Sequence, residues 1–258
     1  MTGMLSVLIP AYNEGERIGA TVTSVRSSFP QAQIVVIDDG SSDDTAMHAE
    51  VAGADTVWRQ RNQGKGAALR AGLDLAKGDI LLLLDADLGE TASEATKLVA
   101  PVIEGIADMT IATFPRPAPF VPSPLSDSLS DSLPATSSPP PQRGGGMGFV
   151  VRLARSGIRW MTGKTMDAPL SGQRCIRTET LIASGGFASG WGVEVALTIR
   201  ALRAGYRVTE IPTHMSHRVT GRSWKDVLHR ASQLLAVARI LCYLAFFYAL
   251  HKERAHHG

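Results

Sequence analysis

From Leu5 to Ala112 the chain repeats two signals: short runs of β-branched and aliphatic residues that stop abruptly at polar ones, and stretches with apolar residues at helical spacing. Leu5 to Ile9 stops at Pro10, Ile34 to Ile37 at Asp38-Asp39-Gly40, and Ile80 to Leu84 at Asp85. Thr56 to Trp58 and Met109 to Ala112 read as two further strands. The spacing predicts helices over Ile18 to Val25, Asp43 to Ala52, Gly66 to Ala76 and Ala92 to Ile103. Such alternation implies an α/β fold with a mostly parallel central sheet flanked by helices. Ile80 to Leu84 is apolar without alternation, as a strand covered on both faces requires. Ligands of such sheets bind beyond the carboxyl ends of the strands. The polar residues that stop each run are therefore where chemistry is to be sought.

Composition narrows the function class. The 258 residues carry 26 Lys and Arg against 24 Asp and Glu, a formal charge of +2. That balance argues against a chain that coats nucleic acid. An aromatic content of 6% disfavours a base-stacking platform. Cys175 and Cys242 show neither a disulfide framework nor zinc-ligand spacing. No charged and apolar leader precedes Leu5, and a reduced, cytoplasmic setting is expected.

Four segments are expected: residues 1–114, 115–148, 149–223 and 224–258. Nine of the 14 prolines lie between Pro115 and Pro141, among many serines, and Gly144-Gly145-Gly146 follows. This composition reads as a flexible loop, either a surface insertion or a mobile lid. Beyond it, Phe149 to Met161 and Val193 to Ala204 read as helices, the second capped by Gly205. Ser171 to Ile176 reads as extended, and Tyr206 to Ile211 as a strand ended by Pro212. Trp224 to His251 reads as a long helix with an apolar stripe of Val227, Leu228, Ala231, Leu235 and Ala238. From Ile240 to Leu250 it is apolar all round, well short of the roughly 20 residues a spanning helix needs. Either it packs on this domain or on a second copy in a homodimer, or it lies in a membrane surface through Tyr243, Phe246, Phe247, Tyr248 and Lys252.

The strongest chemical signal is Asp85-Ala86-Asp87 at the end of an apolar strand. Two carboxylates so spaced suit a hard divalent cation, Mg²⁺ or Mn²⁺, that also bridges substrate phosphates; the bland reading is two solvated loop aspartates. The second signal is Asp38 to Thr45. Turn and cap chemistry accounts for Ser41, Ser42 and Asp43. It leaves Asp38 or Asp39 to accept hydrogen bonds from a nucleobase or a ribose. The third is Pro10-Ala11-Tyr12-Asn13-Glu14, and the fourth Asn62-Gln63-Gly64-Lys65-Gly66, a flexible backbone and a cation at a helix start suited to phosphate. The fourth has neither the Walker spacing nor, with Leu69 in place of a third glycine, a dinucleotide fingerprint.

In order and spacing these four motifs resemble family 2 glycosyltransferases of the GT-A fold, with the polyprenyl-phosphate sugar synthase branch nearest. Ser171-Gly172-Gln173-Arg174 is similar to a Ser-Gly-Phe-Arg-type segment of that branch, with Gln173 in the aromatic position. There is also likeness to relatives that glucosylate small phosphorylated acceptors. The resemblance implies a GT-A nucleotide-diphospho-sugar transferase fold with a long C-terminal helix. It implies an inverting, metal-dependent transfer from a nucleotide-diphosphate sugar, UDP-sugar favoured, to a phosphorylated, lipid-phosphate or hydroxyl acceptor. Pro10, Tyr12, Glu14 and Asp39 would contact the nucleoside, with Asp38 nearby. Lys65 would lie near the base or diphosphate, Asp85 on the ribose or metal, and Asp87 on the metal.

The second half supplies the acceptor side. Glu194 opens a helix, where a carboxylate also complements the dipole; the resemblance makes it the residue that orients or deprotonates the acceptor. His217 is the downstream histidine chosen to complete the metal shell. Arg218 and Arg222 would bind a diphosphate or acceptor phosphate, or form a basic surface loop. Arg174 and Arg177 are phosphate contacts or structural salt bridges. Histidines 251, 256 and 257 read as a solvated tail. Two other readings stand beside this one: a sugar nucleotidylyltransferase, and a nucleotide-sugar-binding or membrane-docked module without turnover. The expected location is cytoplasmic, with peripheral contact at the inner membrane face if the last helix meets lipid.

Overall fold

The computed structural model describes residues 3–114, 147–188, 192–216, 234–245 and 248. The strands are β1 (Leu5–Ala11), β2 (Gln33–Asp38), β3 (Thr56–Arg59), β4 (Ile80–Leu83), β5 (Met109–Thr113), β6 (Arg174–Arg177) and β7 (Val208–Pro212). Among the described residues they form one sheet in the order β3-β2-β1-β4-β6-β5-β7. Every pairing is parallel except the two made by β6, which runs antiparallel to β4 and β5. The carboxyl ends of the other strands thus share one edge with the amino end of β6.

Burial follows the strand period of two. Leu8, Val35, Ile37, Leu81 and Leu83 face one core. Val7, Ile9, Ile34, Val36, Leu82 and Leu84 face the other. The second core is closed by α1 (Ile18–Ser28), α2 (Thr45–Val51) and α4 (Thr96–Ile103). The first is closed by α3 (Lys65–Leu75), α5 (Met147–Thr162), α6 (Thr178–Ala183), α7 (Val193–Arg203) and α8 (residues 234–245). The stretch expected to be one helix from Ala92 divides into a 3₁₀ segment, Gly89–Ala95, and α4. The segment expected to be a loop from 115 to 148 ends earlier, because α5 starts at Met147; residues 115–146 lie outside the described ones.

The final helix needs a correction. Of the expected stripe, Val227, Leu228 and Ala231 lie outside the described residues, Leu235 is 64% exposed and Ala238 is partly buried. The buried positions are Val237 and Leu244, with Leu234, Ile240 and Leu241 packed beside them. Glycines permit the close approach. A Cβ on Gly157 would lie 3.1 Å from Leu241 Cγ, and one on Gly192 3.0 Å from Ile240 Cγ2. The described part of α8 therefore packs on its own domain, and no helix among the described residues is long and apolar enough to cross a membrane. Residues 224–233 of the expected helix lie outside the described ones.

One ion pair locks the edge of the sheet. Asp108 precedes β5 and accepts hydrogen bonds from Arg207 N at 2.8 Å, Nε at 3.1 Å and Nη2 at 2.8 Å. These bonds from Arg207, against a smaller opposing effect of burial, hold its carboxyl below the ordinary 3.8. Its contribution to stability is full above pH 3.8 and is lost as pH falls through the lower folded value. Asp108→Asn is expected to flatten the acid limb of a melting-temperature profile below pH 4. The effect is under about 1 kcal/mol, because Arg207 is more than half exposed. Superimposable acid limbs would contradict this.

Candidate functional site

The four motifs meet at the shared edge. Asp39 N donates to Ala11 O at 2.8 Å, tying the ends of β1 and β2. The loops that follow are laced together: Asn13 N donates to Ser41 Oγ, Glu14 N to Thr45 Oγ1 and Gly15 N to Asp43 Oδ2, all at 2.9–3.0 Å. Asn13 takes a left-handed φ of 54°, which asparagine tolerates better than most residues, while its side chain accepts from Ser42 N at 2.9 Å. Tyr12 stands on the rim, half exposed, beside partly buried Pro10 and Glu14.

Asp38 and Asp39 shape the rim from within. Asp38 is fully buried; it accepts from Ser41 N at 2.9 Å and from Arg59 Nε at 3.1 Å. That corrects the expectation that it is a ligand-facing carboxylate: it is a corner brace between two loops. Asp39 accepts from Gln60 Nε2 at 2.7 Å, Gln63 N at 2.9 Å and Gly64 N at 2.7 Å. Its carboxylate holds the 60–64 loop that leads into α3. Gly40 allows this loop to close, with φ +83° and Asn62 N only 2.8 Å from where a Cβ would stand.

Asp85 and Asp87 are half-buried, whereas Ala86 and Leu88 between and after them are buried. Alternation thus keeps both carboxylates out of the core. The turn is clamped from α1 by contacts that no local motif announces. Arg17 Nη1 donates to Asp87 O at 2.7 Å, Thr21 Oγ1 to Ala86 O at 2.8 Å, and Gly89 N to Thr21 Oγ1 at 2.8 Å.

The reversed strand β6 brings the second half of the chain to Asp85. Leu83 pairs with Arg174, so residues 171–173 arrive beside residue 85. Gln173 Nε2 donates to Asp85 Oδ2 at 2.7 Å, and Ser171 Oγ to Gln173 Oε1 at 3.1 Å. A Cβ on Gly172 would sit 2.8 Å from each Asp85 carboxylate oxygen and against Lys65 Nζ. Lys65 Nζ lies 2.7 Å from Asp85 Oδ1 and 3.0 Å from Glu194 Oε1. Burial opposes the Lys65 charge, but these two carboxylates outweigh it and hold the ammonium above its ordinary value. Lys65 is therefore cationic at neutral pH. An oxygen-only pair, Asp85 and Asp87, fits a hard cation whose remaining positions are filled by water and phosphate oxygens. Among the described residues no group of three or more His, Cys, Asp or Glu is assembled.

Arg174 does not fit the role of phosphate contact. It is 1% exposed, with Nε on Ser171 O at 2.8 Å, Nη1 on Thr198 Oγ1 at 2.8 Å and Nη2 on Pro169 O at 3.2 Å. Burial pushes its guanidinium down to about 10. It sits in the middle of the sheet and fastens α7 to the 169–171 turn. Arg177 donates to Val102 O at 2.7 Å, a structural contact. His217, Arg218 and Arg222, and histidines 251, 256 and 257, lie outside the described residues. Beside Asp85 opens a cavity of about 620 Å³, lined among others by Phe114, Val151, Arg155, Leu170, Gly172 and Gln173. Arg155 Nη2 donates to Asp167 O, while its buried Nε has no hydrogen-bond partner.

Known proteins fit this geometry. Residues 6–122 match the family described as Glycosyl transferase family 2. The chain is 29% identical over 223 residues to glycosyltransferase AglJ of Haloferax volcanii, a match that covers 83% of this chain and 64% of that protein's length. It superposes with a TM-score of 0.70 and 25% identity on a glucosyl-3-phosphoglycerate synthase from Mycobacterium tuberculosis in complex with Mn²⁺, UDP and phosphoglyceric acid. That comparison covers 93% of this chain and 78% of the other. A second structure of that synthase, with Mn²⁺, UDP-glucose and phosphoglyceric acid, superposes with a TM-score of 0.65 and 26% identity, over 93% of this chain and 78% of that one. Motif order, the edge where the motifs meet and these likenesses agree: residues 6–122 are similar to family 2 glycosyltransferases, and the sheet is built as in the GT-A fold of the solved relatives.

Proposed function

We propose that this chain is a metal-dependent, inverting glycosyltransferase that moves a sugar from a UDP-sugar to a phosphorylated acceptor. The observation that carries the proposal is the Lys65 ammonium set between Asp85 of the first half and Glu194 of the second. Donor and acceptor sides of the cleft are thereby held by one cation. Solved relatives that bind UDP and phosphoglyceric acid with Mn²⁺ support the substrate classes.

Asp85 and Asp87 would hold Mg²⁺ or Mn²⁺, which when bound supplies Lewis-acid stabilisation of the departing nucleoside diphosphate. The nucleoside would lie along the rim formed by Pro10, Tyr12, Glu14 and the loop that Asp39 braces. Lys65 adds a fixed positive charge where negative charge builds on the diphosphate. Ser216 N donates to Thr91 Oγ1 at 3.1 Å and His214 N to Glu94 Oε2 at 2.9 Å, so residues 214–216 lie beside the 3₁₀ segment that follows Asp87. This supports His217 as a further metal ligand, with Arg218 and Arg222 on phosphate. Arg155, which lines the same cavity as Asp85, would supply the cation for an anionic acceptor. Glu194 orients that acceptor, or takes the proton when the attacking group is a hydroxyl. An ionised phosphate needs only the positioning.

A donor-by-acceptor screen for nucleotide release, including polyprenyl phosphate and phosphoglycerate, tests the reading. Turnover is expected with UDP-glucose among the donors and a small phosphorylated acceptor. Glu194→Gln is expected to cost about 100-fold or more with a hydroxyl acceptor. Silence across the whole screen, or unchanged turnover in Glu194→Gln, would count against it.

A further inference from the structure

At the far end of α7 from Glu194, a helix about 16 Å long at roughly 1.5 Å per residue, lies a second cavity of about 510 Å³. It is lined by Ser184 and Gly185 after α6, by Arg200 and Arg203 in the last turn of α7, and by Tyr243 and Tyr248 of the C-terminal segment, among others. Its described lining holds two arginines and no acid. Basic residues at a helix carboxyl end complement the dipole, and that alone would explain one or both. It does not explain what surrounds them.

Arg200 Nη1 reaches Gly185 O only at 3.4 Å, and Arg203 Nη1 donates to Met161 O at 2.9 Å. The Arg203 guanidinium lies 3.8 Å over the Tyr248 ring centroid, which fixes its plane. Neither arginine has a carboxylate within ion-pair distance among the described residues. Each guanidinium carries five donors, more than these contacts use. Ser184 is 5% exposed, and its buried hydroxyl has no hydrogen-bond partner. Native structures rarely leave such a group unsatisfied. A cavity of this size lies within the range of small-molecule sites.

The geometry points to a binding site for a phosphate-type oxyanion carried on a small organic body, with Arg200 and Arg203 on the anion, Ser184 beside them and the tyrosine rings along the body. Guanidinium forks match phosphate oxygens in pairs. The site stands apart from the transfer cleft and does not depend on the reading of that cleft.

Phenyl phosphate is the probe, titrated by calorimetry into full-length protein already saturated with UDP and Mn²⁺. A second arm measures co-sedimentation with vesicles containing phosphatidic acid, which tells a lipid headgroup from a soluble ester. Binding of either probe is expected to weaken at least about tenfold in Arg200→Gln/Arg203→Gln and by a smaller factor in Ser184→Ala. Phenyl phosphate binding without vesicle binding assigns a soluble ester; arginine-dependent vesicle binding assigns a lipid. Ser184→Ala and single Arg→Lys substitutions keep the test open if the double variant unfolds. No binding of either probe, or binding indifferent to all of these substitutions, would overturn the proposal.

Discussion

Asp87→Ala is expected to lower sugar transfer by on the order of a thousandfold or more while shifting the melting temperature by no more than a few degrees. The turn and the Asp87 side chain have separate parts. The turn is fixed through main-chain carbonyls, Asp87 O on Arg17 and Ala86 O on Thr21, and truncation at Cβ leaves both contacts in place. What is removed is one of two carboxylates proposed to hold the cation. Lewis-acid stabilisation of a leaving diphosphate is worth several kcal/mol, and each 1.36 kcal/mol is tenfold in rate. Asp85 alone, already engaged by Lys65 and Gln173, is a poor substitute. Initial rates at saturating Mn²⁺, read against melting curves, check both halves of this expectation. Transfer reduced less than tenfold would mean that the metal is held elsewhere.

Gly172→Ala is the second large effect, and its cause is purely steric. The backbone at 172 is not left-handed, so alanine is conformationally acceptable. The difficulty is the added methyl, placed 2.8 Å from both Asp85 oxygens and against Lys65 Nζ. These are the ends of side chains, so they can move, and the fold should survive at little cost. The site should not: Asp85 is pushed off its position, and the Lys65 link between Asp85 and Glu194 is disturbed. Misplacement of reacting groups by about 1 Å can cost about 100-fold, and a loss of that size is expected. It should appear with normal circular dichroism and near-normal thermal stability. Near-native turnover in Gly172→Ala would show that this space is not used.

Much of the first half was legible because its signals are local. Ile34 to Ile37 followed by Asp38-Asp39-Gly40 announces both a buried strand and the edge at which it ends. Asp85-Ala86-Asp87 shows its spacing directly. The contacts that complete the site are long-range and leave no such mark. Gln173 reaches Asp85 across 88 positions of sequence, and Arg17 reaches Asp87 across 70. In sequence Gln173 shows only as an exchange for an aromatic residue, with no sign that its amide would grip a carboxylate. The antiparallel entry of β6 is what sets 171–173 beside β4, and a run as short as Arg174–Arg177 carries no sign of its direction. The same register explains why Arg174 takes the structural role. A charged residue beside a Ser-Gly turn suggests a ligand, yet pairing with Leu83 puts it at the centre of the sheet, where main-chain carbonyls and Thr198 take its donors. Likewise Asp38 reads as an exposed strand-end carboxylate until Arg59, the last residue of β3, closes over it. From Ile240 on, apolar residues all round α8 mark no single face, and the burial of Leu244 and the glycines at 157 and 192 show which side docks.

Asp85 and Asp87 are proposed to form, with a divalent cation, the seat of a nucleoside diphosphate. This is tested most directly by calorimetric titration of UDP with and without Mn²⁺, in the unmodified protein and in Asp87→Ala. Mn²⁺ is expected to tighten UDP binding at least about tenfold, or roughly 1.4 kcal/mol, and Asp87→Ala to abolish this gain. Equal UDP affinity with and without the metal, or a gain that persists undiminished in Asp87→Ala, would contradict it.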